Sequence, residues 1–155
     1  MCASVLQVEV TIPNQTKYLD LIGSIGERLA KELKEFSGDH EKLAYQLNLV
    51  LTEATANAIR HSSPVLTDQT VRIIIHVEDG QLTIKVCDHG KGFDLESVPA
   101  PDLEHPKPGG MGLFFIRSIM DTVTYARGDN CNVLELKKKL QPNYDNICDS
   151  HGTRH

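Results

Sequence analysis

Residues 70–88 read "TVRIIIHVEDGQLTIKVCD", and the apolar positions in this stretch decide the fold class. Its two halves alternate with a period of two, as strands do when one face meets a core and the other meets water. Between them, Asp79-Gly80 supplies the residues that a two-residue hairpin turn requires. Pairing across that turn sets Val77 beside Leu82, Ile75 beside Ile84 and Ile73 beside Val86, all on one face. A sheet with one apolar face needs a covering layer of helices, which the rest of the chain must supply.

Upstream, "SVLQVEVTIP" (residues 4–13) alternates in the same way and predicts a first strand ending at Pro13. The period then changes. Tyr18, Leu21, Ile22, Ile25, Leu29 and Leu33 recur at helical spacing behind the cap candidates Asn14 and Thr16, predicting a first helix that runs to about "LKEF" (33–36). "SGDH" (37–40) breaks it, and Asp39 can cap a second helix. The apolar face of that helix, Leu43, Leu47, Val50, Leu51, Ala54 and Ala58, persists until "HSSP" (61–64), where Pro64 disfavours continuation. Downstream, "MGLFFIRSIM" (111–120) reads as a third helix and "TVTYARGDNCNVLEL" (122–136) as a closing hairpin around Gly128. Two helices, an antiparallel pair, a glycine-opened helix and two more strands make an α+β sandwich. One domain is expected over residues 1–140, followed by a polar, frayed tail at 141–155.

Composition narrows the function. A net charge of -5 offers no basic stripe for DNA or RNA. The amino terminus lacks the basic region of a signal peptide, and no run approaches the ~20 apolar residues of a membrane span, so neither nucleic acid nor membrane is expected as a partner and the cytoplasm is the default. Cys2, Cys87, Cys131 and Cys148 are widely spread, without a C-x-x-C pair or zinc-ligand spacing. Cys87, at the end of an alternating strand, reads as a small buried apolar residue.

Within the second helix, "LTEATANAIRHSS" (51–63) sets Glu53 and Asn57 four residues apart in an alanine-rich run. That spacing puts both on one surface, at the edge of the apolar stripe. They either face water, as polar helix residues ordinarily do, or act together on one ligand. His61 lies one turn further and either joins them or is a structural helix-end residue. Two glycine-rich segments flank the remaining loop: "DHGKGFD" (88–94) after a strand and "PGGMG" (108–112) before a helix. Glycines in such places are often plain turns. A carboxylate at Asp88 can also accept a hydrogen bond from an exocyclic amine such as adenine N6, with Gly90 and Gly92 letting backbone approach a flat ring. Gly109, Gly110 and Gly112 leave N–H groups at a helix start aimed at an anion. Neither segment is a P-loop or a dinucleotide fingerprint, since the Lys-Ser/Thr pair and the third glycine are missing. The stretch "LESVPAPDLEHPKP" (95–108) is a lid or a tolerated surface insertion.

Taken together, an acid and an asparagine four apart on a helix, Asp-x-Gly-x-Gly after a strand and Gly-x-Gly at a helix start resemble the nucleotide-binding boxes of the histidine-kinase-like ATPases, the Bergerat-fold superfamily. "LTEATANAIRHS" and "GGMGLFFIRSIMDTVTY" are most similar to the stand-alone anti-sigma-factor serine/threonine kinases, and the resemblance spans roughly residues 8–138. It implies a two-layer α/β sandwich with a mixed, mainly antiparallel sheet and helices on one face. It further implies ATP and Mg²⁺, with Asn57 as metal ligand, Glu53 as general base, and Asp88 at adenine with Gly90 and Gly92. Gly109, Gly110, Met111, Gly112 and Leu113 would line the phosphates, and Lys107 is the first-ranked cation for the terminal phosphate, ahead of Arg60 and Arg117. Lys91 reads as a solvated turn residue, and the lid acids Glu96, Asp102 and Glu104 as facing water or a partner. The implied partners are a sigma factor and a STAS-domain antagonist that the kinase phosphorylates on serine or threonine, and family members are often dimers. Two other functions stay open: an ATP-gated adaptor without kinase turnover, and a detached catalytic domain of a two-component histidine kinase.

Overall fold

The computed structural model describes residues 5–34, 36–62, 69–92, 94–97, 100–105, 111–128 and 130–141. In chain order the elements are β1 (Leu6–Pro13), α1 (Leu19–Glu32), α2 (His40–His61), β2 (Thr70–Glu78), β3 (Gln81–Asp88), α3 (Gly112–Ile119), β4 (Thr122–Arg127) and β5 (Asn132–Lys139), with short 3-10 turns at Thr16–Tyr18 and Leu95–Ser97. The sheet order is β1-β2-β3-β5-β4. Each of its four pairings is antiparallel, so the mixed component of the expected sheet is absent among the described strands.

The central hairpin pairs as its sequence predicts: Ile73 with Val86, Ile75 with Ile84, Val77 with Leu82. Asp79 and Gly80 both take positive φ, 51° and 73°, the geometry that matches the twist of the flanking strands. The alternation of period two sends Val71, Ile73, Ile75, Leu82, Ile84, Val86, Leu134 and Leu136 into a core against the helices, each nearly free of solvent. The other face keeps Arg72, Ile74, His76, Thr83 and Lys85 at least partly exposed. Cys87 belongs to that outer face. Val86 and Asp88 point inward, so the residue between them must point outward, and Cys87 is half-buried rather than part of the core.

Helix α2 starts where expected, with the Asp39 carboxylate accepting from the Lys42 N–H at 3.1 Å. Leu43, Leu47, Val50, Leu51, Ala54 and Ala58 are buried on its sheet-facing stripe. Helix α1 departs from the sequence reading in three ways. Neither Asn14 nor Thr16 caps it: Tyr18 is its N-cap, without a side-chain hydrogen bond, and the Asn14 amide instead donates to the Ser62 hydroxyl at the far end of α2. The helix stops at Glu32 because Leu33 is extended (ψ 102°), and the His40 ring sits against the Ala30 and Phe36 carbonyls at 2.9 and 3.0 Å. Leu21 is 52% exposed. It lies about 140° from the direction shared by Ile22, Gly23, Gly26, Leu29 and Ala30, the buried side of the helix, and the buried glycines let α1 lie close on α2.

Candidate functional site

Glu53 projects from the edge of the α2 stripe toward α3, and Asn57 lies one turn further along α2. Glu53 is half-buried, and its carboxylate occupies the space where a side chain on Gly112 would begin. Any side chain at the first residue of α3 would displace that carboxylate, so the glycine lets the helix start lie directly over the acid. Asn57 is 8% exposed. Its amide makes no hydrogen bond with a described residue, and it lies one helical turn from Glu53. Met111 is the N-cap of α3 and provides no side-chain cap, so no side chain among the described residues takes up the first N–H groups of that helix, and Leu113 is buried. The far end of α3 is held by Lys138, whose ammonium donates to the Ile119 carbonyl at 3.0 Å, and by Arg117, which donates to the Leu95 carbonyl at 3.3 Å.

Asp88 closes β3 and is 3% exposed. Its Oδ1 accepts from the Gly90 N–H at 2.9 Å and from the Asn132 amide at 3.1 Å. Asn132 carries no motif, and the only sequence signal for it is its place one strand pairing away from Asp88. Gly90 is needed for a reason that differs from ring stacking: a side chain there would collide with the His61 carbonyl at the end of α2. Gly92, at φ 76°, lies under Tyr125 and Arg127. We expect Gly90→Ala to force the β3 terminus away from α2 and lower the stability by roughly 1–3 kcal/mol, measured by urea unfolding, because backbone rather than a movable side chain is in the way.

His61, retained in the sequence reading as either a site or a structural residue, comes close enough to Asp88 to feel its charge. Burial pushes its imidazole below the ordinary value, the adjacent Arg60 guanidinium acts in the same direction, and Asp88 opposes both. The folded state thus favours the neutral ring. Above about pH 6.5 the ring is neutral whether folded or unfolded, and on acidification the unfolded chain takes up the proton first, so stability falls as pH drops through that value toward the lowered one. The melting temperature of wild type is expected to decline more between pH 7 and 5 than that of His61→Gln; parallel curves would exclude this role.

Lys107, Gly109 and Gly110 lie outside the described residues. Arg60 and Lys91 are exposed, as are Glu96, Asp102 and Glu104. A separate hollow of about 570 Å³ is lined by Asp94, Leu95, Glu96, Val123, Thr124, Tyr125 and Arg127, and none of Glu53, Asn57 or Asp88 lines it. Among the described residues no three His, Cys, Asp or Glu side chains cluster as a metal cage, and no helix is long and apolar enough to cross a membrane.

Helix α2 thus brings an acid to the start of α3, with an amide one turn away, and the β3 end brings a buried carboxylate to the neighbouring α2 terminus. Proteins similar to this chain include the serine-protein kinase RsbW of Listeria innocua serovar 6a, 24% identical over 153 residues, covering 91% of this chain and 95% of the relative. RsbW of Halalkalibacterium halodurans is 27% identical over 145 residues, covering 86% and 83%. Among solved structures, the histidine kinase domain of the Erythrobacter litoralis EL346 blue-light activated histidine kinase aligns with a TM-score of 0.51 at 18% identity, a likeness of fold that covers 83% of this chain and 62% of that one. The sequence profile of the histidine kinase-like ATPase domain matches residues 19–138, and the chain belongs to that family.

Proposed function

We propose that the chain is an ATP-dependent protein serine/threonine kinase of the anti-sigma type, which binds a sigma factor and phosphorylates a STAS-domain antagonist. The observation that carries this reading is the juxtaposition of Glu53 with the first residue of α3, one turn from an amide that is unengaged among the described residues. An acid held at a helix start without a cap suits a phosphoryl group delivered there and a hydroxyl brought to it. The names of the RsbW relatives support the same chemistry.

In this reading Asp88 accepts from the exocyclic amine of adenine, and the N–H groups of Gly112 and Leu113 meet phosphate oxygens. Lys107, with Gly109 and Gly110, completes the phosphate end. The residues fit magnesium: Asn57 offers a neutral, hard oxygen, and an ion bound mainly by the nucleotide's phosphates needs no cage of protein carboxylates. Bound magnesium supplies neutralisation of phosphate charge. Glu53 takes the proton from the partner's serine hydroxyl, whose oxygen forms the new bond to phosphorus while the bond to the ADP oxygen breaks.

The test is incubation of the purified protein with γ-labelled ATP, magnesium and each STAS-domain protein of the same genome. Label on one serine or threonine of one of them is the expected result. Tight ATP binding with no transfer would favour the adaptor function, and label on a histidine would favour the histidine-kinase one.

A further inference from the structure

Asp88 and Asn132 form the last pair of the β3–β5 ladder, and both are buried, 3% and 5% exposed. The Asn132 side-chain nitrogen donates to Asp88 Oδ1 at 3.1 Å and to the Gly90 carbonyl at 2.8 Å. A carboxylate and a carbonyl can only accept, so this atom must be the nitrogen and both of its hydrogens are committed. Asn132 Oδ1 is left as an acceptor. The Gly90 N–H also bonds Asp88 Oδ1, at 2.9 Å, which leaves Asp88 Oδ2 as the second acceptor. Neither of these two oxygens accepts from a described residue. Among the described residues, the polar atoms that the pair leaves uncommitted are therefore acceptors, with no side-chain donor of its own left over.

Resting on the nucleotide function above, we propose that Asn132 is a positioning residue that sets base selection in the pocket. It holds Asp88 in one orientation and makes the polar end of the pocket a pair of acceptors. An exocyclic amine at purine position 6 has two N–H groups to give to such a pair. A carbonyl at the same position, as in hypoxanthine or guanine, meets oxygen with oxygen and gives up its hydrogen bonds to water, and only the adjacent N1–H of such a base can donate, to one acceptor of the pair. Asn132→Ala frees Asp88 to turn and admits water that can donate to a carbonyl, which relaxes the selection. Asn132→Thr keeps one hydroxyl donor for Asp88 and should restore part of it.

The experiment is calorimetric titration of the full chain with Mg-ADP and Mg-IDP, which differ at the position-6 group and in whether the adjacent N1 accepts or donates, alongside melting temperatures for wild type, Asn132→Ala and Asn132→Thr. Wild type is expected to prefer ADP by roughly 100-fold or more. The preference should fall about tenfold or more in Asn132→Ala and be intermediate in Asn132→Thr. A residue that merely clasps the ends of β3 and β5 would lower the melting temperature and weaken both nucleotides alike, and an unchanged ADP/IDP ratio in the variants overturns the inference alone. Wild type binding IDP as tightly as ADP overturns it without any variant. Wild type binding neither nucleotide overturns the proposed function, and the inference with it.

Discussion

Glu53→Gln is expected to bind Mg-ATP nearly as well as wild type and to transfer phosphate roughly 10²- to 10⁴-fold more slowly, the usual cost of removing a general base. Glutamine has the shape of glutamate, so it can fill the same space against Gly112 and preserve the packing of α2 on α3. What it lacks is a basic oxygen. Affinity and rate should consequently separate, whereas a residue of purely structural importance would change them together as the folded fraction changed. Initial rates at saturating ATP, with affinity and melting temperature measured on the same protein, resolve the two cases. Transfer at the wild-type rate would remove Glu53 from the chemistry.

Asn57→Ala is expected to weaken Mg-ATP binding on the order of 100-fold while changing metal-free nucleotide binding little, because the lost group would act through the ion. The amide is 8% exposed and makes no hydrogen bond with a described residue. Its removal thus breaks no described internal hydrogen bond. A melting temperature close to wild type should accompany the loss. Equal weakening of ATP binding with magnesium and with a chelator present would show that Asn57 does not hold the metal.

How far the sequence reaches can be read from particular residues. The hairpin register of β2 and β3, the one-sided core, the Asp39 cap and the α2 stripe were legible because each rests on a period or a neighbour within a few residues, where side-chain direction follows from backbone geometry alone. The spacing of Glu53 and Asn57 is local in the same sense, and it placed both on one helix surface. What tertiary structure alone decided is how distant segments meet. Leu21 matches the helical spacing, but the side of α1 that packs is set by glycines lying close on α2, so Leu21 is left in water. Asn14 has the chemistry of a cap and is used instead to tie the β1 end to Ser62. Gly90 is required by the His61 carbonyl, and Gly112 lies against the Glu53 carboxylate. Asn132 stands 44 residues from Asp88 in a stretch that reads only as a closing hairpin, yet it shares that carboxylate because β5 pairs with β3. Local periodicity determines which face a side chain takes; which atoms it then touches depends on sheet order and helix placement, and those are long-range outcomes of burying one apolar face under another.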